Sequence, residues 1–211
     1  MSLPTRKFRR IQPEARRETL VEAALACLAE GGHQGVSVRR IAARAGVSLG
    51  LVNHYYAGID QLIAQAYESL ADGIVSKLLE SAESADVAPR ERLSGFIRTS
   101  FSPLVLDPKL LRVWVVFWSL IPHSTDMQAV QDRSHTAYCK VLERYLKALA
   151  AERGLTPVDL PVAAIGLSAL LDGLWLEWCL NPAKFRPEEG ITLCESWVDA
   201  FAAGAFPRLA R

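Results

Sequence analysis

Asn53, His54 and Tyr55 stand consecutively, with Ser48, Leu49, Gly50 and Leu51 just before them, and no acidic residue occurs between Val36 and Tyr56. Asparagine and histidine can hydrogen-bond base edges or phosphates, a tyrosine hydroxyl can reach a phosphate, leucine can touch a thymine methyl, and glycine permits close approach. That chemistry reads nucleic acid. Ser37 and Arg39, a few residues upstream, complete the DNA-facing set, Arg39 as a phosphate or minor-groove contact. Catalysis has no comparable set: His33, His54, His123 and His135 are isolated, no serine sits in a nucleophile elbow, and no carboxylate pair frames a reaction. Cys27, Cys139, Cys179 and Cys194 are far apart without metal-ligand spacing, so they read as reduced core thiols, and no catalytic residue, metal or cofactor is expected.

A second constellation lies in the other half of the chain. Trp114 and Trp118 are four apart and share one helix face, while Asp172 and Trp175 are three apart and share another. If those faces meet, indoles and a carboxylate line one cavity, and that combination suits a cation. The same residues also serve as plain core, with Asp172 bonded to a serine, tyrosine or arginine across the helix pair. Both readings stand at the level of sequence.

These residues need elements to hold them. Ser37 is an N-cap for a helix from Val38 to Ala45, whose Val38, Ile41, Ala42 and Ala45 fall on one face. Gly46 ends it in a left-handed turn, Val47 packs inward, and Ser48 caps the next helix, Leu49 to Tyr55. Two short helices hinged at a glycine make a helix-turn-helix, whose second member lies in the DNA major groove. Pro13 opens a preceding helix that Glu30-Gly31-Gly32 stops, and Asp60 starts a long helix reaching about Ser84. Further helices follow from Pro89, Pro108, Asp126, Pro161 and Pro187. The pattern predicts an all-α protein of about nine helices: a basic arm over 1–12, a helix-turn-helix domain over 13–58, and a larger ligand-binding and dimerisation domain over 59–211.

Charge divides along the same line. Residues 1–60 carry nine Lys or Arg against five acids, a net of +4 within a chain whose total is +1. A basic head on a mildly acidic body suits phosphate attraction, with Arg6 to Arg10 in the arm. The apolar run Leu160 to Leu180 is interrupted by Asp172 and Glu177 and reads as a buried helix, so no membrane partner is expected and the protein is placed in the cytoplasm. Gly166, Ala169 and Gly173 make a smooth strip on that helix, and Leu193, Trp197, Ala200, Phe201 and Gly204 make another on the last. Two such helices from each subunit pack as a four-helix bundle, which predicts a homodimer through the last two helices.

The order Ser37, Ile41-Ala42, Ala45-Gly46-Val47-Ser48, Gly50, His54-Tyr55-Tyr56, after a helix ending Glu30-Gly31-Gly32, resembles the N-terminal DNA-binding domain of the TetR family of bacterial repressors over about residues 14–64. Ile59 stands where family members usually carry a lysine that meets the phosphate backbone. Between about 100 and 180, Trp114 to Trp118 and Leu171-Asp172-Gly173-Leu174-Trp175-Leu176 resemble the TetR subgroup typified by the choline-sensing repressor of glycine-betaine synthesis. The resemblance implies a repressor that binds a double-stranded, near-palindromic operator and releases it for a small effector, such as a quaternary ammonium or other cation. The long helix from Asp60 is the expected lever. The competing expectation is a helical ligand-binding or interaction protein that no longer binds DNA specifically.

Overall fold

The structure is a computed structural model that describes residues 13–82, 87–156 and 158–205; the expected basic arm lies outside the described residues. Among them are nine α-helices and no strand: α1 (Pro13–Gly31), α2 (Val38–Ala45), α3 (Leu49–Tyr55), α4 (Ile59–Ala82), α5 (Pro89–Ser100), α6 (Pro108–Leu120), α7 (Thr125–Glu152), α8 (Leu160–Leu180) and α9 (Pro187–Ala202). Short 3₁₀ turns at His33–Gly35 and Ile121–His123 join neighbouring helices. The chain forms two compact units, Met1–Ala66 and Tyr67–Arg211.

In the first unit the local chemistry of the caps sets the helix boundaries. The Ser37 hydroxyl accepts from the Arg40 amide at 3.2 Å and the Ser48 hydroxyl from the Leu51 amide at 3.2 Å. Gly46, at φ 64°, supplies the left-handed residue between them, and the Val47 amide bonds back to the Ala42 carbonyl at 3.0 Å. Leu20, Ala24, Cys27 and Leu28 from α1 are buried, as are Ile41 and Ala42 from α2, Val52 from α3, Tyr56 and Leu62.

Glu30, at the end of α1, pairs with Arg44 at 2.8 Å and with Arg40 at 3.7 Å. The Arg40 guanidinium lies so close to Gly31 and Gly35 that a Cβ at either would sit 3.3 Å from its Nη1. Two of the three α2 arginines are thus engaged in holding α2 against the end of α1.

In the second unit α7 packs against α8 and α5, and α8 also meets α6 and α9. Arg90 on α5 ties to α9 through Glu195 and, from its Nε at 2.7 Å, through Asp199. The Ser94 hydroxyl adds a 2.9 Å bond to Glu195.

The length and composition of α8 would allow it to cross a membrane, and the sequence predicts a buried helix with a smooth strip for a second copy. Ala163, Ala164, Leu167, Ser168, Leu171 and Trp175 face the interior, while Ile165 is 54% and Leu180 61% exposed, and Ala169 and Gly173 are exposed between them. The strip expected on α9 is narrower than predicted. Phe201 is 1% exposed and belongs to the interior, where its ring stacks on Trp197 at 5.9 Å; Leu193 is 53% exposed.

Candidate functional site

α3 buries Val52 alone and presents the rest of its surface. Leu49 is 44% exposed, Gly50, Asn53 and His54 are exposed, and Leu51 and Tyr55 are half-buried. A seven-residue helix whose polar side chains point away from the core has little packing reason to carry them. Ser37 and Ser48 are exposed at the two N-caps; each hydroxyl oxygen accepts a backbone bond and keeps its own hydrogen for a phosphate. Arg39 is exposed and makes no ion pair among the described residues, unlike Arg40 and Arg44. Arg17 of α1 was not anticipated here: its guanidinium lies 5.8 Å from the centroid of the Tyr55 ring. The His54 and Tyr55 rings meet edge-on at 5.3 Å.

The structure brings Trp114, Trp118, Asp172 and Trp175 together in one cavity of the second unit, with about 470 Å³ of empty space, part of it open to solvent. Tyr67 of α4, and Gln131, His135 and Tyr138 of α7, complete the wall. They were not anticipated as site residues. In the sequence Tyr67 is one more apolar residue of its helix, and nothing local marks the α7 residues, since their role depends on which face of α7 meets α8.

The rings pack at angles suited to enclosing a small group. Tyr67 meets Trp114 edge-on at 5.3 Å, and Trp114 meets Trp118 edge-on at 6.2 Å. The Trp175 indole N–H donates to the Ser100 backbone carbonyl at 3.0 Å, fixing that ring, and the Tyr67 hydroxyl donates to the side-chain Oε1 of Gln131. The Trp114 indole N–H and the Tyr138 hydroxyl are buried and have no hydrogen-bond partner among the described residues.

Asp172 bonds to the Ser168 hydroxyl one turn earlier on its own helix, not to a partner across the helix pair, and lines the cavity as well. Burial lifts its carboxyl to about 6, and the Ser168 bond opposes part of that rise. Burial, with the nearby Asp172 carboxylate adding to it, also drives the hydroxyls of Tyr67 and Tyr138 well above their ordinary range. A carboxylate among aromatic rings attracts a cation and disfavours a second anion. Among the described residues no cluster of His, Cys, Asp and Glu could hold a metal.

Comparison with known proteins agrees with both halves. Residues 20–66 match the family model for bacterial regulatory proteins of the tetR family, and residues 89–203 match the model for the C-terminal domain of BetI-type transcriptional repressors. The chain is 30% identical over 196 residues to the HTH-type transcriptional regulator BetI 1 of Chromohalobacter salexigens, covering 90% of this chain and 91% of that one. It is 28% identical over 191 residues to BetI of Burkholderia thailandensis, covering 90% and 95%.

A solved transcriptional regulator from Pseudomonas aeruginosa PAO1 superposes with a TM-score of 0.88 at 47% identity, over 94% of this chain and 96% of that one. A regulator from Saccharomonospora viridis, solved in complex with choline, shares the fold at a TM-score of 0.75 and 18% identity, over 89% and 97%. The relatives are regulators of transcription and not enzymes. With its helix-turn-helix and its BetI-type C-terminal half, the chain belongs to the TetR family of bacterial transcriptional regulators.

Proposed function

We propose that this regulator is an effector-released repressor. A homodimer binds a near-palindromic operator and lays Leu49 to Tyr55 of each subunit in successive major grooves, roughly 34–36 Å apart or a multiple of that. Asn53 and His54 read base edges, Leu49 and Leu51 supply apolar contact, Gly50 allows the approach, and Ser37, Arg39, Ser48 and Tyr55 hold phosphates. The effector is a small organic cation, of which a quaternary ammonium is the type, bound among Trp114, Trp118, Asp172 and Trp175.

The observation that carries the effector class is the carboxylate of Asp172 set in a wall of aromatic rings. The choline held by the Saccharomonospora viridis regulator, a protein of the same fold, supports the same chemistry. α4 starts beside the DNA-reading helix and contributes Tyr67, Ala71 and Ile74 to the cavity wall, so it is the natural lever. The lever works only if the effector binds the two conformations with different affinity.

A mobility-shift titration against the DNA upstream of the protein's own coding region, with choline, betaine aldehyde and polyamines as competitors, tests both halves. The expected result is a complex that weakens steeply with salt and is dissolved by the ammonium compounds. Replacing Asn53 and His54 by alanine should lower operator affinity by about tenfold or more while leaving fold and effector binding intact. Unchanged operator affinity in that double variant overturns the assignment of α3.

A further inference from the structure

Three serines are buried among the described residues: Ser94, Ser100 and Ser168. Ser94 belongs to the pairing of Arg90 with Glu195, and Ser100 bonds back to the Phe96 carbonyl of its own helix. Ser168 differs. It stands among Ala163, Ala164, Leu167 and Leu171 on the interior face of α8, and its hydroxyl bonds both Asp172, one turn on, and Cys139 of α7. A hydroxyl in such an apolar strip is unfavourable unless it is bonded, and alanine would otherwise suit the helix better. A hydroxyl has one hydrogen to give. Burial keeps Cys139 in its thiol form, so the S–H donates to the Ser168 oxygen and the Ser168 hydrogen is left for the Asp172 carboxylate. Neither Ser168 nor Cys139 is among the residues lining the cavity, so the pair acts on Asp172 from behind its wall.

Resting on the cationic-effector reading above, we infer that Ser168 is a positioning residue for effector binding: its hydroxyl, turned by Cys139, holds the Asp172 carboxylate ionised and oriented for the ligand's positive group. The carboxylate needs that support because burial alone drives it towards the neutral form, which does not attract a cation. Its other neighbours do not supply it. The Tyr67 hydroxyl of α4 donates to Gln131, the Tyr138 hydroxyl of α7 has no partner among the described residues, and α6 brings Trp114 and Trp118. Cys194 of α9, beside Tyr138, is kept neutral by burial, and the His135 ring of α7 lies against Cys139, its nitrogens 3.7 and 3.8 Å from the sulfur.

The test is the pH profile of choline binding to the full-length protein, read by tryptophan fluorescence between about pH 5 and 9. Ser168→Ala is expected to move the midpoint up by about one pH unit, so that choline binds up to about tenfold more weakly below the wild-type midpoint and equally well above about pH 8. Ser168→Thr keeps the hydroxyl and should keep the wild-type midpoint. His135→Gln added to Ser168→Ala should leave the shift in place. Melts without ligand give a second readout: between about pH 4 and 7 the melting temperature should change less favourably in Ser168→Ala than in the wild type, and an Asp172→Asn background should abolish the difference.

A loss of affinity that is uniform across pH, or a midpoint unmoved in Ser168→Ala, makes Ser168 a packing residue and overturns the inference while the cationic-effector reading stands. If choline binds the wild type at no pH, that reading falls and the inference falls with it; the ligand-free melts then report on Ser168 and Asp172 alone. Should Ser168→Thr not fold, the alanine profile decides.

Discussion

The guanidinium of Arg17 lies over the ring of Tyr55, 5.8 Å from its centroid, so α1 supplies a cation to the last residue of the DNA-reading helix. Arg17 is exposed and makes no ion pair among the described residues, and its charge acts on Tyr56 as well. Ile59, the first residue of α4, offers no charge at the place where the family usually has a lysine. The prediction is that Arg17, set against an aromatic face, meets a DNA phosphate.

Arg17→Ala should reduce operator affinity about three- to tenfold and flatten the salt dependence by one ionic contact, with little change in melting temperature because the site is exposed. Arg17→Lys should keep the salt slope and lose a smaller part of the affinity. If Arg17 only packs against Tyr55, the salt slope of the alanine variant will equal that of the wild type.

Asp172 sets stability against binding. Its folded carboxyl, lifted by burial to about 6, holds a proton over a range where the unfolded chain, near 4, has already lost it. Below about 4 both states are protonated and the group contributes nothing. As pH rises from 4 to 6 the folded state pays increasingly for ionising, by about 2–3 kcal/mol at neutral pH. Asp172→Asn should accordingly stabilise the protein at pH 7 and leave it nearly unchanged at pH 4, which thermal melts across that range will show.

A cationic effector prefers the ionised form, so its affinity has the opposite trend. It should fall by up to tenfold per unit as pH drops below about 6, and Asp172→Asn should bind weakly with a flatter profile. His135 lines the same cavity and is the control. His135→Gln that retains the wild-type profile assigns the effect to Asp172; loss of the profile assigns it to the histidine.

The first unit was readable in the sequence because its geometry is written in local chemistry. Ser37, Gly46 and Ser48 set the ends of α2 and α3 through bonds to residues five or fewer positions away. The second unit was readable as helices but less so as surfaces. Helical spacing placed Trp114 with Trp118 and Asp172 with Trp175, yet gave no signal that Tyr67, His135 and Tyr138 would close the same cavity. Periodicity also could not tell a face packed inside the subunit from one offered to a partner, which is why Phe201 was assigned to the wrong side. Nor did it mark Gly190, where a Cβ would lie 2.5 Å from the Phe101 ring, so that glycine is what lets α9 approach so closely.

The exposed strip on α8 and α9 carries the remaining prediction. Ile165 and Leu193 are each more than half exposed, and Ala169 and Gly173 between them offer little side-chain relief, so a second copy of the chain can approach at close helix spacing. Because both leucine and isoleucine point away from the core, Ile165→Lys and Leu193→Glu should leave the subunit folded, with circular dichroism unchanged. Charges buried at a two-fold interface without partners are strongly unfavourable, so either variant should elute as a monomer in size-exclusion chromatography. The monomer should also lose operator binding by far more than any single DNA-contact variant, since one head engages only half of a palindrome. A variant that stays dimeric and keeps its operator affinity would move the interface off this strip. A monomer with wild-type affinity would show that pairing is not what places α3 on DNA.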